Sequence, residues 1–172
     1  MGILSGNQKD EPLHYGEIYD LWQFSMAAKG CVSSSRALQY HAGDNDLKKI
    51  LGDIINQAEL EISECDTILI NNGILPPPTL PERPEVKLED IPVGVRFSDL
   101  EIAAMSAAGN SVGLVACSQV MGMVTREDIG ALFAKYHATK AAIGLKILKA
   151  CKEKGWLIPP PLQIKRPELV ED

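Results

Sequence analysis

Gly73-Ile74-Leu75-Pro76-Pro77-Pro78-Thr79-Leu80-Pro81-Glu82-Arg83-Pro84-Glu85-Val86-Lys87-Leu88-Glu89-Asp90-Ile91-Pro92-Val93-Gly94-Val95-Arg96-Phe97 is the stretch on which the architecture turns. It holds six of the eleven prolines in the chain, and each would cost about 3 kcal/mol inside a helix. A link between adjacent helix ends needs only about 2–8 residues. Some 25 residues in extended form reach roughly 80 Å, against about 40 Å for a long helix. The segment therefore predicts a strap that crosses the length of a helical molecule. Val86, Leu88, Ile91, Val93, Val95 and Phe97 are expected to dock it on the helices. A plain up-down-up-down bundle with a loose loop is the alternative reading.

On either side lie two proline-free blocks, residues 13–75 and 93–158, each long enough for two helices. His41-Ala42-Gly43-Asp44 divides the first: a glycine stop, then an Asp N-cap, with Asp46 in the next first turn. Thr125-Arg126-Glu127-Asp128 divides the second as a cap with acids in the first turn. Leu47, Leu51, Ile54, Ala58, Ile62, Cys65 and Leu69 recur three and four apart, which makes one apolar stripe on a long helix. Ile129, Leu132, Phe133, Tyr136, Ile143, Ile147 and Ala150 repeat the pattern, and strand alternation is absent. A quiet repeat supports this division: Gly73 and Gly155 are 82 residues apart, each ahead of apolar residues and three prolines. The same offset lays Asp46 on Asp128 and Leu51 on Phe133, so one helix C-terminus is written twice. The reading is a single all-α domain over residues 1–172, a four-helix bundle with helices at about 12–42, 44–72, 98–124 and 126–154. The strap spans 73–97 and a proline-rich tail 155–172. Short, long, short is the connection order of the ferritin-like bundle.

Composition narrows the function. Of 172 residues, 45% are hydrophobic and 23% charged, a globular balance that argues against disorder. Aromatics make up 5%, so the core is aliphatic and small. A net charge of −6 argues against nucleic acid as a partner. Four cysteines without CxxC spacing do not form a secreted disulfide framework. The start, Met1 to Gly6, lacks a basic region ahead of an apolar one, and Gly6 stands where myristoylation at Gly2 needs Ser or Thr. Residues 102–124 carry no charge and are long enough to span a bilayer. Ser106, Asn110, Ser111, Ser118 and Gln119, with no flanking Trp/Tyr belt, favour instead a helix buried in a soluble bundle.

Candidate chemistry is sparse. A di-iron centre needs Glu-x-x-His on two helices; the second helix has no histidine, and Ala134 stands three before His137. Cys31, Cys65, Cys117 and Cys151 fall one per helix, but their heights differ too much to converge on zinc, so they read as small buried hydrophobes. Glu61 and His137 sit at similar height and could form a proton-active or metal pair; a solvated Glu and a surface His is the plainer reading. His14 and Glu17 lie one turn apart, at a height like that of Glu127 and Asp128, where ordinary helix-end charge placement is the plainer reading. The third helix is rich in small residues (Ala103, Ala104, Ala107, Ala108, Gly109, Gly113), which suit tight packing, a subunit seam or a small ligand. No phosphate loop, GxSxG elbow, catalytic Cys–His motif or HExxH is present. No catalytic, cofactor-binding or metal residue is assigned, and no cofactor is expected.

Three stretches carry a resemblance: Asp10-Glu11-Pro12-Leu13-His14-Tyr15-Gly16-Glu17, Gly113-Leu114-Val115-Ala116-Cys117-Ser118-Gln119-Val120-Met121-Gly122, and Glu153-Lys154-Gly155-Trp156-Leu157 with its prolines. They resemble an uncharacterised ferritin-like family of endospore-forming bacilli whose members are labelled spore coat proteins by similarity to coat protein F. The resemblance covers about residues 8–162 and implies a four-helix bundle, in the cytoplasm of the mother cell or in the spore coat. It implies a non-enzymatic protein that acts by association, as a homodimer or larger or with other coat proteins, without a membrane span. The alternative is a bundle that binds a metal or small ligand at a non-standard site.

Overall fold

The computed structural model describes residues 11–163. The reading of Gly2 and the amino-terminal start, and the expected tail from residue 164 onward, lie outside the described residues. Four long helices make up the fold: α1 (Tyr15–His41), α2 (Asn45–Asn71), α3 (Asp99–Met123) and α4 (Glu127–Lys154), with no strand among the described residues. α1 begins at Tyr15 because His14 closes its N-terminus. The His14 Nδ1 accepts the N–H groups of Gly16 (3.0 Å) and Glu17 (3.2 Å), and Glu17 Oε2 accepts the N–H of His14 at 3.1 Å. This is a reciprocal capping box with histidine in the place of serine. Asp44 caps α2, accepting from Asp46 N–H (2.8 Å) and Leu47 N–H (3.0 Å).

The order of the helix ends decides the topology. One core cluster joins Ala42 after α1, Leu47 and Leu51 of α2, Ile102 and Ala103 of α3, and Ile147 and Cys151 of α4. A second joins Leu21, Phe24, Cys65, Leu69, Cys117, Val120, Ile129, Phe133 and Tyr136, and a third, smaller one joins Ala28, Val32, Ile55 and Ala58. The start of α3 thus lies beside the start of α2, and the ends of both lie together at the far end. α2 and α3 run in the same direction, so the strap crosses the length of the bundle, and the up-down-up-down alternative is excluded. The repeat is real in geometry: Gly73 (φ 75°) and Gly155 (φ 73°) are the left-handed residues among those described. Ile74 N–H returns to Leu69 O and Trp156 N–H to Cys151 O, both at 2.9 Å. Each closes a Schellman turn, and Ile74 and Trp156 pack on opposite end clusters.

Several expectations need correcting. Gly43 is no left-handed stop; α1 ends on Ala42 in extended conformation. A Cβ at position 43 would lie 3.3 Å from Asp99 Oδ2, so a larger residue there would press on that carboxylate. Thr125 does not cap α4, whose N-cap Arg126 makes no side-chain cap bond. The strap is held by other residues than those expected: Val93, Val95 and Phe97 are 80%, 62% and 43% exposed, and Ile91 alone of the six apolar residues is buried. Val93 and Val95 lie in a turn of 3₁₀ helix, Val93–Val95, none of whose residues is buried. Arg96 stitches this turn by donating to Ile91 O (2.6 Å) and Glu89 O (3.1 Å). The other anchor is buried Pro77, whose carbonyl accepts from Lys29 Nζ.

α3 is not a buried helix. Only Ile102, Ala103, Ser106, Cys117 and Val120 are buried. One helix in a bundle buries one stripe, and the lack of charge on α3 extends right round to its outer side. By length and composition α3 passes as a helix able to cross a membrane, and 22% of its most apolar window is buried.

Candidate functional site

The structure brings His14 and Glu17 together, but as a fastening. Glu17 is fully buried. Its Oε1 accepts Thr125 N–H (2.7 Å), Thr125 Oγ1–H (3.0 Å) and Arg126 N–H (2.9 Å). Burial works to raise its pKa, and the backbone donors of Arg126, Thr125 and His14 outweigh burial and hold it below the ordinary 4.5. Arg126 completes the corner, gripping Asp128 with two nitrogens (3.0 and 2.7 Å) and donating to Glu11 O at 3.1 Å. At the other end Asp99 accepts Gly43 N–H (2.8 Å) and Asp44 N–H (3.1 Å). Glu17 and Asp99 are 82 residues apart, as are Gly43 and Thr125. Each hairpin therefore presents a carboxylate at the start of its first helix to the turn of the other hairpin. With its oxygens occupied by donors, Glu17 fits a clamp and not a metal ligand.

At mid-height Glu61 pairs with Lys140 and not with His137, the less favoured of the two readings. Glu61 is 1% exposed, so the solvated-glutamate reading fails as well. Lys140 Nζ stands 2.8 and 2.9 Å from its two oxygens, and Gln57 Nε2 donates at 2.9 Å. Phe133, Tyr136, Lys140, Ile143 and Ile147 are spaced three and four apart, so Lys140 falls on the inner stripe of α4 while His137 lies one step round. The Lys140 ammonium also sits 5.7 Å from the Phe24 ring, which packs with Phe133 and Tyr136. Beside this pair a cavity of ≈ 250 Å³ opens between the helices, with Cys31, Leu38, Ile54, Gln57, Ser106 and Ile143 in its wall. A second internal ion pair, Lys29 with Asp66 at 2.8 Å, links α1, α2 and, through Pro77, the strap.

The cysteines are free and do not converge. Cys65 and Cys117 lie in one end cluster, Cys151 in the other, and Cys31 is only half-buried, short of the burial expected. Burial pushes the Cys65 thiol up to about 12 and the Cys117 thiol to about 11. Among the described residues no group of three or more His, Cys, Asp or Glu is placed to hold a metal ion.

What stands out on the surface is the outer face of the second hairpin. Ala104, Ala108, Ser111, Val115, Ser118 and Gly122 of α3 are exposed and spaced four and three apart, the period of a coiled-coil seam. Val112 and Val115 are 70% and 67% exposed, and Leu145 of α4 is 67% exposed. Ala134, Ala138 and Leu148 of α4 are exposed too and carry no charge. Exposed ion pairs lie on the first hairpin, such as Arg36 with Glu59 at 2.7 Å, and toward the end of α4, where Lys149 stands 3.8 Å from Glu153. The run of uncharged residues was visible in the sequence; its outward placement was not.

A family model described as a protein of unknown function, DUF3231, matches residues 1–169. The chain is 50% identical over 166 residues to "Uncharacterized protein YvdQ" of Bacillus subtilis (strain 168), covering 96% of this chain and 98% of that relative. A crystal structure of a "putative spore coat protein" from Bacillus halodurans C-125 is similar with a TM-score of 0.90 and 42% identity. It covers 92% of this chain and 100% of that one.

Proposed function

The chain belongs to the DUF3231 family, and from that premise we propose that it is a non-catalytic structural protein of the spore coat or the mother cell, acting through self-association. The observation that carries this reading is the uncharged, exposed face of α3 and α4, around Val112, Val115 and Leu145. Apolar surface of this extent on a soluble bundle marks an association site. A helix of 25 residues is about 37 Å long, and two neighbours packed about 9 Å apart give a face roughly 18 Å wide. That is on the order of 700 Å² per protomer before side-chain relief, close to the roughly 800 Å² each partner gives to a standard interface. The seam period of α3 suits packing against its own copy about a two-fold axis, where the same patch serves both chains. The coat-protein relative supports the location, and the occupied carboxylates of Glu17 and Glu61 support the absence of catalysis.

The test compares two single variants by light scattering at tens of micromolar. Val115→Lys places a charge at the centre of the seam and is expected to release monomer with unchanged helicity. Lys146→Glu, away from the seam, is expected to leave the assembly intact. A Val115→Lys chain that associates like the parent overturns the proposed surface. Flotation of the parent with lipid vesicles would redirect the face to a membrane.

A further inference from the structure

The mid-bundle cavity has features that self-association does not use. It is ≈ 250 Å³ and is walled by all four helices. An apolar cavity of about 150 Å³ already takes up benzene, and drug-sized pockets begin at about 300 Å³. The volume therefore suits a molecule of one ring or a short chain. Leu38, Ile54, Met105 and Ile143 supply apolar wall.

Among the described residues, one buried polar side-chain atom in this wall is left without a partner. Ser106 is 8% exposed, and its Oγ has no hydrogen-bond partner. A helical serine commonly returns its hydroxyl to the carbonyl four residues back. Ser111 does so to Ala107 O (3.0 Å) and Ser118 to Leu114 O (3.1 Å), but Ser106 does not. A buried hydroxyl without a partner is costly, and this one sits in the wall of a cavity large enough to hold what is missing. The charge nearest the cavity makes no demand on a ligand, because Lys140 is already neutralised by both oxygens of Glu61. Gly109, also in the wall, has nothing within 4 Å of where a Cβ would stand. Gly109 is itself exposed, so it lines the open side of the cavity.

We propose that this cavity binds a small uncharged amphiphile, an apolar ring or short chain whose single hydroxyl or carbonyl group pairs with Ser106 Oγ. The cavity carries this proposal, which does not draw on the association surface.

Cys31 supplies the readout, since it lines the cavity and is the half-buried cysteine while Cys65, Cys117 and Cys151 are buried. Iodoacetamide modification of Cys31, followed by intact mass, is measured in the full-length protein with phenol, toluene or benzoate. Phenol is expected to slow modification at least about fivefold at saturation, and benzoate to leave it unchanged because a second charge cannot be matched. Ser106→Ala is expected to weaken phenol about two- to tenfold, the worth of one neutral hydrogen bond, and to leave toluene unaffected. Gly109→Leu, which fills open space and improves helix propensity, is expected to abolish protection by phenol. No protection by phenol up to about 10 mM, full protection in the Gly109→Leu chain, or equal phenol affinity in Ser106→Ala each overturns the proposal.

Discussion

Replacing Glu17 by alanine should be among the most destabilising single changes outside the apolar core. The carboxylate serves four donors: Thr125 N–H and Oγ1–H, Arg126 N–H, and the N–H of His14. Arg126 is 6% exposed, so its freed N–H meets little water, and an unsatisfied buried donor costs about 1–3 kcal/mol. Loss of the capping box at α1 adds about 1 kcal/mol, and the bonds to exposed Thr125 about another. The sum, about 3–5 kcal/mol, is a large share of the roughly 5–15 kcal/mol that holds a domain folded. Asp99→Ala at the other end should cost only about 1 kcal/mol, because exposed Gly43 hands its donor to water. Glu17→Gln should fall between: it keeps an acceptor for Thr125 and Arg126 but turns an NH₂ on the N–H of His14. Urea unfolding at pH 7, followed by helical circular dichroism, measures all three. The folded-state pKa of Glu17 lies below 4.5, so its contribution is complete above that pH and is lost as pH falls through the folded value. The Gln variant should therefore lose less stability between pH 5 and acid than the parent. A Glu17→Ala cost under about 1 kcal/mol, or one equal to that of Asp99→Ala, would refute the buried clamp.

Three further outcomes follow from the same geometry. Lys140→Met strands Glu61 at 1% exposure and should cost about 3–5 kcal/mol, whereas the double change with Glu61→Leu should recover most of it; a thermal melt of both reads the difference. In the strap, Ile91→Ser should cost about 2 kcal/mol and Val93→Ser under about 0.5 kcal/mol, checked by urea midpoints; equal effects would mean the strap is docked elsewhere. Thiol labelling of the native protein at pH 8 should modify Cys31 alone, because burial pushes the Cys65 and Cys117 thiols up to about 12 and about 11 and raises that of buried Cys151 too; unfolding should expose all four cysteines of the chain.

The topology was legible because it rested on chain length and punctuation. Prolines in the strap forbid helix, and Gly73 and Gly155 stop two helices at equivalent places. The partners of buried charges were not legible. Spacing tells which residues of one helix share a face, so Glu61 could be placed near the seam. Whether His137 or Lys140 met it depended on a rotation of α4 that only packing sets. The same 82-residue offset that aligns the glycines also lays Glu17 on Asp99 and Thr125 on Gly43. Apolar composition misled twice, at Val93 and Val95 and along α3, because hydrophobicity states a preference for burial without saying by what. On α3 the exposed valines are the reason to look for a second chain.

Sedimentation equilibrium of the untagged protein from about 1 to 50 µM tests that claim most directly. The account predicts a mass of twice 18.7 kDa, or a larger multiple, at the upper concentrations, with dissociation only on dilution. A mass of 18.7 kDa throughout the range would contradict it.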